Sequence, residues 1–324
     1  MDLSQFSSPE FIINPYPFYE EVRSLGAVVP ISPHIVISAR YESVREMLHD
    51  SRIGKDHIQS IRIRYGEEAS QGPVFQSFSR MMLMLDPPVH YKVRSLLTKA
   101  FTAQRVESLR ETIQNISNRL INNLVNQLKK HKEIDLAAEY AFKLPVEIIC
   151  KLLNIPVQDG EKYGEAARKS VQALNFTPLT AQQISEANAA ILSLENYFSK
   201  VIAERHKKTG DDLISALLTT KENDIFLSDD EIISNVILMF IAGHETTSNM
   251  ISNALISLYK QPEQLNLLRN DSSLMPKAVT ECLRLDSSVQ IVGRVALNDL
   301  EISGFHIKCG TIIFLMIGAA NRDP

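Results

Sequence analysis

The sequence predicts a mainly α fold with a minor sheet component near each end. Three observations predict it. Apolar residues recur at i, i+3, i+4 and i+7 through much of residues 86–218. A capping-box signature, "SDDE" at 228–231, opens a stretch with no proline before Pro262. Runs rich in β-branched residues are confined to residues 28–39 and to the region after residue 288.

Taken in order, "NPYPFYEEVRSLG" carries prolines at its start and Gly26 at its end, the asymmetry expected of helix caps. "VVPISPHIVISA" predicts a strand pair, and "YESVREMLHD" a short helix. Residues 50–80 show weak periodicity and predict a long, partly ordered loop. In "DPPVHYKVRSLLTKAF", Asp86 is the candidate N-cap and the prolines fall in the first turn. "QRVESLRETIQNISNRLINNLVNQLKK" predicts a long amphipathic helix, and "LPVEIICKLLNIP" a helix that ends at a proline. Two further helices are expected over 160–208, broken at "NFTPLT". A helix over 228–259 would be roughly 48 Å long at ~1.5 Å per residue. It would cross a domain, so its middle is expected to be buried. "PKAVTECLRLD" predicts another helix, followed by strand-like "VQIVGRVAL", "LEISGFHI" and "GTIIFLMIGA". With no repeat, low-complexity tract or linker, residues 1–324 read as a single domain.

The 324 residues are 44% hydrophobic, enough for a large core. Lys and Arg number 34 against 38 Asp and Glu, a net charge of −4 with no basic patch, which excludes nucleic acid as the expected partner. The three cysteines, Cys150, Cys282 and Cys309, are far apart and form no C-x-x-C pair, so neither a disulfide framework nor a structural zinc site is expected. The start "MDLSQFSSPEF" has no basic or apolar leader signature, and no apolar run approaches the ~18 residues of a membrane span. The expectation is a cytoplasmic protein with no membrane contact.

The stretch "MFIAGHETTSN" at 239–249 places His244 and Glu245 inside a helix. A zinc protease would need a second His at i+4; that position is Ser248. Gly243 costs a helix interior about 1 kcal/mol relative to Ala. The Thr246 hydroxyl can bond back to the carbonyl of Ala242. This leaves two readings open: a plain kink in a buried helix, or a notch where a small ligand approaches the backbone. Glu245 adds to the second, because a buried carboxylate needs a partner or a task. His90 and Arg94 share a helix face at i, i+4, suited to a carboxylate or phosphate or else simply solvated. Glu281 and Arg284, at i, i+3 in "ECLR", can form a local ion pair.

In this order, these pieces resemble a known family across essentially the whole chain: the cytochromes P-450, haem-thiolate monooxygenases. "AGHETT" is similar to the family's A/G-G-x-D/E-T-T motif and "ECLR" to its E-x-x-R. "LDPPVHYKVRSLLTKAFT" resembles the bacterial form of the helix that reaches the haem propionates. "GRVALNDLEISGFHIKCGTIIFLMIGAANRDP" resembles the segment after E-x-x-R. The resemblance implies the cytochrome P-450 fold, a helical domain with a long central helix and small β-sheets, and haem b as cofactor. Thr246 and Glu245 would be catalytic, Thr246 bonding the dioxygen held by the iron and Glu245 relaying protons. Ala242 and Gly243 would form the oxygen groove, and His90, Arg94 and Arg294 would neutralise the propionates. Glu281 and Arg284 would be structural. Leu238, Ile291 and Val292 would line the substrate pocket, bordered by residues 55–80 and 174–180. The partners implied are a lipophilic small molecule and a ferredoxin- or flavodoxin-type electron donor, with the protein a monomer.

The family's iron ligand is a Cys in the pattern F-x-x-G-x-H/R-x-C-x-G. Around Cys309 the pattern's Gly, His/Arg and Gly positions hold Phe305, Ile307 and Thr311. Cys150 and Cys282 read as small core residues. The expectation is therefore a fold incomplete at the C-terminus before the ligand loop, with no axial Cys, no metal ligand and no activity for these residues alone. The alternative is a non-catalytic remnant that binds an apolar ligand or nothing.

Overall fold

The computed structural model describes residues 5, 6, 8–175 and 178–324, without the side chain of His244. The chain forms two compact units. One comprises residues 1–70, 175–178 and 253–324, the other residues 71–174 and 179–252. The mainly helical character and the small sheets agree with the sequence reading.

The first unit holds all the named strands. β1 (Val29–Ser32) and β2 (Ile35–Ser38) form the expected antiparallel hairpin. After β3 (Ile53–Gly54) come β4 (Val292–Ala296), β5 (Leu300–Ile302), β6 (Phe305–Ile307) and β7 (Ile312–Leu315). The two ends of the chain share one five-stranded sheet of order β1-β2-β7-β4-β3, and β5 and β6 pair separately. β2 runs parallel to β7, with Ile35 opposite Ile312 and Ser38 opposite Leu315. This explains the uninterrupted apolar run of β7. Ile312 and Phe314 pack with Tyr19, Val22 and Ile37 on one face, while Ile313 and Leu315 pack with Val36, Met47 and Ile302 on the other. A strand covered on both faces has no reason to alternate.

The second unit is helical. Its Ala103–Leu128 helix is N-capped by Thr102, and its Ala181–Lys207 helix opens with a capping box of Thr180 and Gln183. The Lys143–Leu153 and Val157–Val171 helices meet at Gly160, where a Cβ would run into the Sγ of Cys150. The long helix is Asp229–Tyr259, within one residue of the expected span, and the box at Ser228 forms: Glu231 N–H donates to Ser228 Oγ (3.2 Å) and Ser228 N–H to Glu231 Oε2 (2.8 Å).

Three expectations need correction. Residues 50–80 are not a long loop but carry the helices His57–Tyr65, Glu67–Ser70 and Pro73–Ser79. These are too short for a period to emerge, and the last is buried on several sides through Val74, Phe75, Ser77 and Phe78. The Val89–Ala100 helix is capped at Pro88 with no side-chain cap bond; Asp86 contributes its backbone carbonyl, which accepts from His90 N–H at 3.0 Å. The long helix is buried from Ile232 to Ile237 and at Phe240, but Ala242, Glu245, Thr246, Thr247 and Asn249 are exposed. Small and hydroxylic side chains carry little apolar area, so little is lost by leaving them open. The break expected over 174–180 falls partly on Phe176 and Thr177, and the rejected zinc reading on the His244 side chain; all lie outside the described residues.

Candidate active site

The second unit carries the notch. Thr246 Oγ1 donates to the carbonyl of Ala242 at 2.9 Å, the back-bond its position predicts. Gly243 faces the other way: a Cβ there would lie 3.5 Å from Ile149, in ordinary contact with the Lys143–Leu153 helix. The Ala242-Thr246 step is thus an open, hydroxyl-bearing surface, with Glu245 exposed beside it. Leu238, one turn earlier, is half-buried.

His90 and Arg94 lie one turn apart on the Val89–Ala100 helix, whose Val93, Leu96, Leu97 and Ala100 are buried. Arg94 is exposed and His90 half-buried. The described residues offer neither side chain an acid, and the His90 ring meets only Tyr91, edge-on at 5.9 Å. Lys92 ties this helix to the start of the long one through Glu231 at 3.3 Å.

In the first unit, Arg284 grips Glu281 with two bonds (Nε–Oε2 2.8 Å, Nη2–Oε1 2.6 Å) and donates through Nη1 to the Asn321 carbonyl at 2.6 Å. These hydrogen bonds hold the Glu281 carboxyl below the usual carboxylate range and raise the guanidinium. The helix end is fixed as well. Arg322 Nε donates to the Leu285 carbonyl at 2.6 Å, and the Arg322 guanidinium lies 3.3 Å from the Tyr16 ring centroid. Tyr16 O–H donates to Asp286 Oδ1 at 2.9 Å. "ECLR" is therefore one part of a joint that also fixes the turn after the Ile317–Ala320 helix; its remote partners could not be read from the sequence. Ile291 and Val292 pack half-buried against the sheet cores, and Arg294 on β4 donates to the Gly293 carbonyl at 2.8 Å.

A second group went unnoticed in the sequence. Asn235 is fully buried in the long helix: its Oδ1 accepts from Met82 N–H (2.8 Å), and its Nδ2 donates to the carbonyls of Arg80 (3.2 Å) and Glu231 (2.8 Å). Arg80 donates to Ser234 Oγ (3.0 Å) and pairs with Glu195 (2.8 Å). The signal was present: Ser234-Asn235 interrupts the apolar run "IISNVILMF". A concavity of about 590 Å³ between the Val157–Val171 and Ala181–Lys207 helices, lined by Tyr163, Tyr197, Lys162 and Lys200, includes none of the expected pocket residues.

An acid-bearing planar cofactor would find its cations in His90 and Arg94. Burial pushes the Cys150 thiol up to about 11, far from the thiolate a metal needs. Cys282 is buried, and Cys309 donates its S–H to the Leu297 carbonyl. Among the described residues no three His, Cys, Asp or Glu cluster as metal ligands.

The family model described as Cytochrome P450 matches residues 32–324. The chain belongs to the cytochrome P450 family. A putative cytochrome P450 133B1 of Xylella fastidiosa is 44% identical over 324 residues, covering 100% of this chain and 80% of the relative. The biotin biosynthesis cytochrome P450 of Bacillus subtilis is 33% identical over 329 residues, covering 99% and 79%. Among solved structures, P450BioI in complex with hexadec-9Z-enoic acid ligated acyl carrier protein superposes with a TM-score of 0.87 at 32% identity, over 98% of this chain and 80% of that one. P450 enzymes are haem monooxygenases, and haem and iron binding are properties of the family. No helix of the described residues is long and apolar enough to cross a membrane.

Proposed function

We propose that residues 1–324 carry the oxygen-side residues of a single P450 domain. It would insert one oxygen atom of dioxygen into a C–H or double bond of a lipophilic small molecule. The observation that carries this is the exposure of Ala242, Glu245 and Thr246 in a helix buried from Ile232 to Ile237 and at Phe240. There a hydroxyl donor is held by one local bond and can turn to a ligand, and an exposed carboxylate, Glu245, can take up and pass protons. His90, Arg94 and Arg294 would neutralise the haem propionates, Glu281 and Arg284 would be structural, and Leu238, Ile291 and Val292 would line the substrate pocket. Bound haem supplies the dioxygen activation. The two electrons come from a separate ferredoxin- or flavodoxin-type donor, and the protein works as a cytoplasmic monomer. A fatty acyl chain, the ligand of the P450BioI complex, supports the lipophilic class.

The same proposal holds that none of the three cysteines is the axial ligand, so these residues alone do not oxidise substrate. The carbon monoxide difference spectrum tests it. These 324 residues mixed with haem are expected to give no thiolate-type Soret band. A chimera carrying the remaining fifth of the Xylella relative is expected to give one and to oxidise a fatty acid. A thiolate band from the 324 residues overturns the ligand assignment; a chimera that binds haem without turnover overturns the monooxygenase reading.

A further inference from the structure

Asn235 stands two turns before Ala242 on the same face of the long helix: 235, 239, 242 and 246 are spaced four, three and four apart, a separation from Asn235 to Ala242 of about 10 Å at ~1.5 Å per residue. That face is closed at one end by the stretch after the Pro73–Ser79 helix. Met81 is buried, Met82 and Met84 are half-buried, and Met82–Met84 form a 3₁₀ turn. The stretch is held there by polar bonds as well as by the buried Met81 side chain. Met82 N–H and the Arg80 carbonyl are both taken by the Asn235 amide, and the Arg80 guanidinium bridges Ser234 and Glu195. Val74 N–H donates to Asn188 Oδ1 at 3.0 Å and fixes the other end of the short helix to the Ala181–Lys207 helix. Methionines are unbranched and fill irregular space. A methionine wall therefore takes its position from whatever fixes its backbone. An apolar anchor could slide, whereas an amide with both ends satisfied has one register.

We infer that Asn235 and Arg80 are positioning residues for ligand selection. By fixing the 81–85 stretch against the face that leads to Thr246, they set which lengths of apolar ligand reach the Ala242-Thr246 step. The inference rests on the lipophilic-substrate reading above.

The experiment uses the 324-residue chain and two readouts: amide hydrogen exchange over residues 80–85, and binding of saturated fatty acids from short to long, followed by tyrosine fluorescence. Asn235→Ala is expected to speed Met82 amide exchange on the order of 100-fold beyond whatever change the Ala181–Lys207 helix shows through the loss of global stability. It is also expected to flatten a roughly tenfold preference among chain lengths to under about threefold. Asn235→Asp keeps the acceptor for Met82 N–H but turns the donor end into a second acceptor facing the Arg80 and Glu231 carbonyls, and is expected to lose both as Asn235→Ala does. Arg80→Lys, which retains the charge but not the fork, is expected to fall between the parent chain and Asn235→Ala. If the stretch loosens while the chain-length preference stays, selection does not depend on it and the inference fails. If exchange rises equally in every helix, the bonds are merely structural and the inference fails. If the parent chain binds no fatty acid, the lipophilic reading itself fails; binding by the parent with the wrong pattern in the variants refutes the inference alone.

Discussion

Two stretches of the long helix, residues 234–235 and 245–247, treat polar side chains in opposite ways. In the first, Ser234 and Asn235 are completely buried, and each bonds a residue outside the helix. In the second, Glu245, Thr246 and Thr247 are exposed, and Thr246 bonds only the carbonyl one turn back within its own helix. A buried polar atom must be partnered or it costs the full desolvation penalty. An exposed one has no such obligation and remains available to a ligand. Position in one helix thus separates polar groups that build the fold from polar groups that face chemistry, and substitutions in both kinds of setting can break or sharpen this division.

The largest effect is expected at Asn235. Asn235→Ala orphans Met82 N–H and the Arg80 carbonyl in a buried setting, at about 1–3 kcal/mol per group before relaxation. A loss of about 3 kcal/mol in urea unfolding is the expected outcome. A loss under about 1 kcal/mol would mean that water or the backbone readily replaces the amide, and the contrast between the two stretches would lose its first term.

Two glycines give the next contrast. A Cβ on Gly160 would run into Cys150 Sγ and come within 3.2 Å of Val146 Cγ1. Gly160→Ala is expected to cost about 2 kcal/mol by overpacking, and Cys150→Ala in the same chain to recover about half of it. Gly243 sits beside the open stretch, 3.5 Å from Ile149 by the same construction. Gly243→Ala is expected to stabilise by up to about 1 kcal/mol, since helix propensity rises and nothing clashes. Paired urea melts give both signs at once.

In the other unit, His57 extends the rule to a titrating group. Burial first, then the charges of Lys55 and Arg64, push its imidazole down to about 4. Above pH ~6.5 both folded and unfolded chains carry it neutral, so it contributes nothing. As pH falls from ~6.5 towards 4, the unfolded chain takes the proton first and stability drops, at most about 1.4 kcal/mol per pH unit and about 1 kcal/mol in all once the ring's partial exposure is allowed for. His57→Gln should remove this part of the acid loss, read as a smaller fall in melting temperature between pH 6.5 and 4.5.

Legibility in the sequence followed the same division. The Ser228–Glu231 box, the strand pair and the Thr246 back-bond were all readable, because each depends on residues within four positions or on a local period. The single sheet joining the two ends was not, since parallel pairing of β2 with β7 leaves no mark on either strand beyond apolarity. The short helices of residues 50–80 were missed because they run only nine, four and seven residues, with Ser, Gly and Gln scattered through the stretch, so no sustained apolar period appears. Arg80 and Asn235, 155 residues apart, could be suspected only from an amide stranded in an apolar run. The candidate oxygen-side residues were legible because they lie in one contiguous motif, and the Arg284 bond to Asn321 was not, because it spans 37 residues.

The smallest effect is expected at Thr246. Valine has nearly the shape of threonine without the hydroxyl, so Thr246→Val removes the donor to Ala242 with little change in volume. On an exposed surface the freed carbonyl keeps its helical bond and meets water, and the change in stability should stay within about 0.5 kcal/mol. Ser234→Ala, by contrast, removes one hydroxyl from a fully buried site where Arg80 depends on it, and is expected to cost about 1–2 kcal/mol. If Thr246→Val instead costs more than about 1.5 kcal/mol, its hydroxyl belongs to the fold as the Asn235 amide does, and the notch is a kink in a structural helix. If it costs nothing, a threonine with poor helix propensity next to a helix-weakening glycine has no stability reason to be there, and its remaining role is at the ligand.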